Sequence, residues 1–265
     1  MKTTYLIPKL KKHPTFSKFV DFYSLLILKL YNEALKEEIV LLDCLPGSIS
    51  PKVQQAVLEA GEHGVKYRGN KITGIDVDPD VNGCLGRYMK ASPVKFNGVT
   101  SKIEAIPFES NKFNLITLNH PIDDVLYYLV QKQRPDLYVD YKIDKTGCLL
   151  LKQALVFDEI LKIINKDIDF FVEETKKILL EETTRVLKPG GYMVILNYFT
   201  DNWKVYDPYL HNGFSNRIYT LTRRVFNSVA ESFSELEKED ITSFVSLNDI
   251  FAPWEKVDCL FYRKK

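Results

Sequence analysis

Four cysteines and four histidines are all that 265 residues offer for disulfide or transition-metal chemistry. Cys44, Cys84, Cys148 and Cys259 stand far apart, with no C-x-x-C pair and no histidine at ligand spacing, so neither a disulfide framework nor a zinc site is expected. No metal is assigned, and reduced thiols in a cytoplasmic compartment are the simplest reading. Long hydrophobic runs are also missing. The most apolar stretch, Ser24 to Leu28, is stopped by Lys29 and flanked by Asp21 and Glu33, far short of the roughly 20 apolar residues a membrane span needs. Lys2 is not followed by an apolar run and a small-residue cleavage site, so no signal peptide is read. Excess charge of either sign is absent too: 36 Lys and Arg stand against 35 Asp and Glu. Nothing global draws such a chain to a polyanion, and Arg217, Arg223 and Arg224 make only one modest basic cluster, so RNA or DNA is disfavoured as a partner. There is no internal repeat or low-complexity segment.

What is present is the composition of a conventional core, 45% hydrophobic and 27% charged. From Phe16 to Ala34, large residues recur at three- and four-residue steps and predict an amphipathic helix. Ile39 to Leu42 is a continuous apolar run, as in a strand buried on both faces. Asp43 to Ser50 supplies a loop, and Pro51 opens a helix through Leu58. Lys71 to Asp76 predicts a second strand, with Asp78 capping the helix after it. Val94 to Phe96, with Ile103 to Ile106, gives a third strand region, Phe113 to Leu118 a fourth and Tyr192 to Leu196 a fifth. Strands alternating with helices predict a doubly wound, mainly parallel α/β sheet. Thr242 to Leu247 and Val257 to Tyr262 read as an antiparallel pair at its edge.

On such a sheet, ligands bind beyond the carboxyl ends of the strands, at the switch in strand order. The residues to inspect are therefore Asp43 to Ser50, Asp76-Val77-Asp78 and Asn119 to Asp124. A carboxylate closing the second strand, Asp76, can accept hydrogen bonds from both hydroxyls of a ribose. Capping of the following helix is the alternative for Asp76 and Asp78. In the third segment His120, with a reference pKa of about 6.5, can serve as a base oriented by Asp123 or Asp124. Alternatively, His120-Pro121 shapes a loop and the two aspartates cap a helix beginning at Val125.

In order, Ile39 to Ser50, Ile72 to Pro79, Ile103 to Phe108 followed by Lys112 to Ile116, and Arg185-Val186-Leu187-Lys188-Pro189-Gly190-Gly191-Tyr192 resemble the successive signatures of class I S-adenosylmethionine-dependent methyltransferases. The resemblance covers roughly residues 36 to 200. It implies a Rossmann-like, doubly wound, mainly parallel seven-stranded sheet and S-adenosylmethionine as cofactor. Asp43 and Gly47 would shape the methionine pocket, Asp76 with Val77 the ribose subsite, and Ile106 and Pro107 the adenine subsite. Asn119 would sit by the cofactor with His120, Asp123 and Asp124 facing the methyl acceptor. Three departures accompany these matches. Leu45 and Ile49 stand where the family has glycine, Lys102 where an acidic or polar residue meets the adenine amine, and Asn114 where an Asp is usual.

Roughly seventy residues separate Leu118 from Pro189, more than one connecting helix requires. A helical insertion is expected between strands 4 and 5, capping the site over about residues 125–180. Its Tyr127, Tyr128, Tyr138 and Tyr141, near Arg134 and Lys142, would suit a substrate pocket; partly buried surface tyrosines are the alternative. The chain is read as one domain, 1–265, with residues 1–37 as an N-terminal helical extension. The expected activity is methyl transfer to an oxygen or nitrogen of a small or medium-sized organic acceptor. The alternative is a catalytically silent methyltransferase-like binding or regulatory module. Nothing in the sequence sets an oligomeric state.

Overall fold

The computed structural model describes residues 14–44, 51–119, 121–137, 151–200, 223–229, 233–251 and 255–265. The chain enters through helix α1 (Pro14–Lys29), which ends in a wider π-type turn over Leu30–Leu35 and stops at Lys36 in a left-handed conformation. Then β1 (Leu41–Cys44), α2 (Lys52–Glu62), β2 (Lys71–Asp76), α3 (Pro79–Tyr88), β3 (Lys95–Thr100) and β4 (Phe113–Asn119) alternate. Helices α4 (Pro121–Gln133), α5 (Leu151–Lys166) and α6 (Ile168–Val186) lead to β5 (Leu187–Thr200). A helix over 223–229 (α7), β6 (Leu236–Lys238), the single turn α8 (Leu247–Ile250) and β7 (Glu255–Lys264) complete the order.

The seven strands form one sheet in the order β3-β2-β1-β4-β5-β7-β6. β1 to β5 are parallel, and β7 runs antiparallel between β5 and β6. The order reverses between β1 and β4, which places the binding crevice of an open sheet at their carboxyl ends. One sheet face is covered by α1 and α2, where Phe19, Phe22, Leu26 and Ile27 pack with Leu41, Leu115 and Val194. On the opposite face Ile122, Leu126, Leu179 and Phe226 pack with Leu42, Ile116, Leu118 and Ile195. Each side chain here follows from the strand period of two, which sends Leu115 and Ile116 to opposite faces.

The irregular start of β5, where its register to β4 shifts between Leu187 and Tyr192, shows why Leu187-Lys188-Pro189-Gly190-Gly191 has its form. Gly190 has φ +75°, open to glycine at no steric cost. A Cβ on Gly191 would lie 2.9 Å from Leu187 Cδ1, 3.0 Å from the Lys188 carbonyl oxygen and 3.1 Å from that of Asn114. The second glycine is thus required for close approach and the first for backbone direction.

Three sequence expectations are corrected. The first strand is displaced to Leu41–Cys44, and Ile39 forms only an isolated bridge to Tyr67. Ile103–Ala105 is a 3-10 turn instead of a strand: Ile103 and Ile106 are both buried at a three-residue step, which a strand cannot provide on one face. Near the C-terminus, the segment expected as a strand from Thr242 is another 3-10 turn, Ile241–Ser243. It is capped by the Asp240 side chain accepting from the Thr242 N–H, with Ile241 and Val245 buried four residues apart. The edge partner of β7 is Leu236–Lys238.

Candidate functional site

Parallel register decides which side chains meet at the crevice. Asp43 lies beside Gly74 on β2 and Thr117 on β4, so Asp43, Thr117, and the residues two further on, Asp76 and Asn119, share one sheet face. Asp43 is wholly buried. Thr117 Oγ1 donates to its Oδ1 at 2.7 Å and Gln54 Nε2 donates to its Oδ2 at 2.6 Å. Burial pushes the Asp43 carboxyl up to about 7, against these two hydrogen bonds and with added repulsion from Asp76. Glycine is required at position 74 because the Phe96 ring packs directly on it, where a Cβ would overlap the ring.

Asp76 closes β2 and is 8% exposed. Its Oδ1 accepts the Asp78 N–H at 2.9 Å, while Asp78 caps α3 by accepting from the Asp80 N–H at 2.8 Å. Asp78 is the cap, as the sequence suggests. A carboxylate has about four acceptor positions and no donor, which is the chemistry a diol calls for at the end of β2. Val77, beside it, is 58% exposed and offers apolar surface at the rim.

Asn119 ends β4, half-buried, and its Oδ1 accepts from the Tyr23 hydroxyl at 2.8 Å. Tyr23 comes from α1 and is fully buried; burial first, then Asp43 and Cys259, raise its phenol well above the ordinary value, so it remains a neutral donor. This binds the N-terminal helix to the crevice. Asp124 lies in the first turn of α4, which starts at Pro121, so it complements the helix dipole from inside and does not precede the helix as a cap. Its carboxyl reaches solvent, yet the surrounding protein atoms first and the charge of Asp76 second push it up to about 6. Asp43, Asp76 and Asp124 therefore form an electrostatically coupled acidic group. Among the described residues, no cluster of His, Cys, Asp or Glu is arranged to hold a metal ion.

Gly47 and His120 lie outside the described residues, as do Leu45, Ile49, Tyr138, Tyr141, Lys142 and Arg217, and the Asp123 side chain is likewise not described. Ile106 is buried against α6, its N–H donating to Glu182 at 3.0 Å and its carbonyl accepting from Arg185 at 2.8 Å, whereas Pro107 is exposed. Tyr128 donates to Glu104 at 2.7 Å, Tyr127 accepts from Gln131 at 2.9 Å, and Arg134 forms an exposed pair with Asp136.

Two of the departures from the resemblance acquire explanations. Lys102 is turned outward, 59% exposed, 3.9 Å from Glu104 and over the Tyr128 ring. Asn114 sits at the amino end of β4, away from the crevice: its Oδ1 accepts from the Val40 N–H at 2.7 Å, and its Nδ2 donates to Glu37 and to the Glu38 carbonyl, both at 3.0 Å. Only an amide both donates and accepts there, so this position is filled for strand pairing.

Tyr23, Gln54 and Thr117 were not found from the sequence. Thr117 was detectable, being a polar residue at a two-residue step between Leu115 and Asn119. Tyr23 and Gln54 were not, since both read as ordinary positions on helix faces.

No family model matches the chain, and neither does any curated protein sequence. Solved structures do match in fold. Loganic acid methyltransferase with SAH (S-adenosylhomocysteine) is 11% identical, with 94% of each chain covered and a TM-score of 0.53. The plantazolicin methyltransferase BpumL in complex with SAH is also 11% identical, covering 96% of this chain and 86% of that one at 0.49. Geranyl diphosphate C-methyltransferase from Streptomyces coelicolor A3(2) is 11% identical, covering 90% and 79% at 0.44. The fold is that of the class I S-adenosylmethionine-dependent methyltransferases.

Proposed function

We propose that the protein is an S-adenosylmethionine-dependent methyltransferase acting on an oxygen or nitrogen of a small or medium-sized organic acceptor. The observation that carries this reading is the convergence, at the β1/β4 switch point, of a β2-terminal carboxylate at Asp76 with the buried Asp43 beneath it. The residues fit the cofactor in chemistry: Asp76 supplies acceptors for the ribose hydroxyls, Val77 an apolar surface, and Asp43 with Gly47 the floor and loop of the methionine pocket. Ile106 and Pro107 are assigned to the adenine side and Asn119 to the border between cofactor and acceptor.

When bound, S-adenosylmethionine supplies an activated methyl group on a sulfonium. The chain's own task is then to align the acceptor and remove its proton where it carries one. His120 is assigned as that base, with Asp123 and Asp124 holding its ring. An Asp124 carboxyl near 6 leaves it largely ionised at neutral pH, as an orienting partner must be. The α4 to α6 segment, over about residues 125–180, and the N-terminal extension, residues 1–37, are assigned as the walls of the acceptor pocket within one domain. Tyr23 donating to Asn119 supports that role for the extension. No helix among the described residues is long and apolar enough to cross a membrane, and a cytoplasmic setting suits the free thiols of Cys44, Cys84 and Cys259.

The test is calorimetric titration with S-adenosylmethionine and S-adenosylhomocysteine, in wild type and Asp76→Ala. Binding in the wild type and its loss in the variant is the expected result. Absence of binding to the wild type would overturn the reading in favour of a silent methyltransferase-like module, the alternative that Leu45 and Ile49 in the first loop favour.

A further inference from the structure

The first turn of α2 holds two polar side chains, Gln54 and Lys52, whose hydrogen-bonding capacity the described residues use only in part. Gln54 is wholly buried, and while its Nε2 is bound to Asp43, its Oε1 has no hydrogen-bond partner. A buried acceptor left unpaired is costly and calls for a donor. Two residues earlier, Lys52 places Nζ 3.9 Å above the ring of Phe19 on α1. Among the described residues no carboxylate pairs with it, and burial alone lowers its ammonium to about 8. The helix opens on Pro51 without a side-chain cap and without an acidic residue in its first turn, which leaves its positive pole without a carboxylate of its own. Phe19 stands one helical turn before Tyr23, the residue that touches Asn119, and α2 opens beyond the carboxyl end of β1, so Lys52 lies on the same side of the sheet as the crevice.

A cation and a helix N-terminus facing an anion, with an unpaired acceptor beside them facing a cation, is a pattern that complements an α-amino acid. We propose that Lys52, with the amino end of α2, binds the carboxylate of the cofactor's methionine portion, and that Gln54 Oε1 accepts from its ammonium. This rests on the methyltransferase reading and adds to it the residues that distinguish a nucleoside carrying an amino acid from one without it. Lys52 then acts as a specificity residue: the cation–π contact with Phe19 holds the ammonium in place until the carboxylate arrives.

The test compares S-adenosylhomocysteine with 5′-methylthioadenosine, which has the same nucleoside and sulfur but no amino acid, by calorimetry on wild type, Lys52→Met and Lys52→Arg. Wild type should prefer S-adenosylhomocysteine. Lys52→Met should weaken that ligand by roughly tenfold or more while leaving 5′-methylthioadenosine within about twofold, as loss of one charge-assisted contact requires. Lys52→Arg should retain most of the preference. Equal weakening of both ligands, or an undiminished preference in Lys52→Met, overturns the assignment of Lys52 while leaving the methyltransferase reading intact. Wild type that binds neither ligand overturns that reading itself. Should Lys52→Met fail to fold, Lys52→Gln replaces it, with the ratio of the two affinities as the readout in either case.

Discussion

The two ends of the central sheet differ in how their polar groups are satisfied. At the amino end, Asn114 fills its hydrogen-bonding capacity on Val40, Glu37 and Glu38, while Lys188 and Arg68 approach Glu37 at 3.4 and 3.6 Å. Lys264 donates to the carbonyls of Thr184 and Leu187 at 2.7 and 2.9 Å. The hydrogen bond from Asn114 first, then Lys188 and Arg68, hold the Glu37 carboxyl below its ordinary value. The carboxyl end has the opposite character. Asp43 and Asp124 are pushed up, Lys52 is pushed down, and Gln54 Oε1 is unpaired. At the amino end the charged form of Glu37 is favoured by its surroundings, although burial lowers the Lys264 ammonium, whereas at the carboxyl end the charged forms of Asp43, Asp124 and Lys52 are disfavoured. The amino end is largely completed by folding, whereas the carboxyl end retains unfavourable electrostatics, the pattern from which the proposed cofactor site is argued.

The strongest way to sharpen this contrast is a reciprocal pair of variants. Asp76→Ala should reduce S-adenosylhomocysteine affinity by about a hundredfold or more, because two charge-assisted bonds are lost together. Its unfolding midpoint should change little. Asn114→Leu should do the reverse. It strands the Val40 N–H and the Glu38 carbonyl and should destabilise the protein by about 2 to 4 kcal/mol in urea unfolding, with ligand affinity of the folded fraction unchanged. If Asp76→Ala destabilised the fold as much as Asn114→Leu, the division between the two ends would be lost.

A smaller effect is expected from Asp43→Asn, read through pH. The folded protein holds the Asp43 proton up to about 7, against an ordinary value of 3.8. Between those values the folded state binds more protons than the unfolded one, so stability falls as pH rises through this window, and the full loss is present above 7. Asparagine does not titrate, and Gln54 can turn its amide so that Oε1 accepts from the new side chain. The variant should therefore lack a decline on the order of 2 to 4 kcal/mol between pH 4 and 7, measured by urea unfolding at several pH values. Asp124, at about 6, contributes in the same direction and remains. An unchanged pH profile would show that Asp43 is not the group responsible.

The architecture was legible because it is written in short-range pattern. Alternating strand and helix signals, Asp78-Pro79 and the Pro-Gly-Gly turn each act within a few residues, and the structure keeps them as expected. The acids of the crevice were legible for the same reason, since Asp76 ends a strand, Asp43 lies one residue before the end of another and Asp124 is in the first turn of a helix. Where the expectations fail, a polar side chain redirects the local backbone: Asp240 caps a turn in a segment whose β-propensity reads as strand. The remaining part of the site depends on pairs distant in sequence. Tyr23 and Asn119 are 96 residues apart, and Thr117 and Asp43 are 74 apart. No window of local pattern contains them. Asn114 was misleading for a related reason: its departure from an acidic residue is explained by Glu37, Glu38 and Val40, which only the folded sheet brings beside it.

The least disruptive test of the contrast is Tyr23→Phe. The ring keeps its edge contact with Phe22 at 5.0 Å and its burial among the core residues of α1, so only the hydroxyl is removed. Asn119, the acceptor of that hydroxyl, is half-buried, and its oxygen can turn to water. The expected loss of stability is about 0.5 to 1.5 kcal/mol. S-adenosylhomocysteine affinity should stay within about twofold, since Tyr23 touches Asn119 and not Asp76 or Lys52. A freed Asn119 amide should show itself on the acceptor side, as a raised KM or lowered kcat once an acceptor is in hand. If Tyr23→Phe unfolded the protein as Asn114→Leu is expected to, the Tyr23–Asn119 bond would belong with the structural staples of the amino end. The carboxyl end would then be a second fastening of the fold, and its raised carboxyls a consequence of burial unconnected with binding.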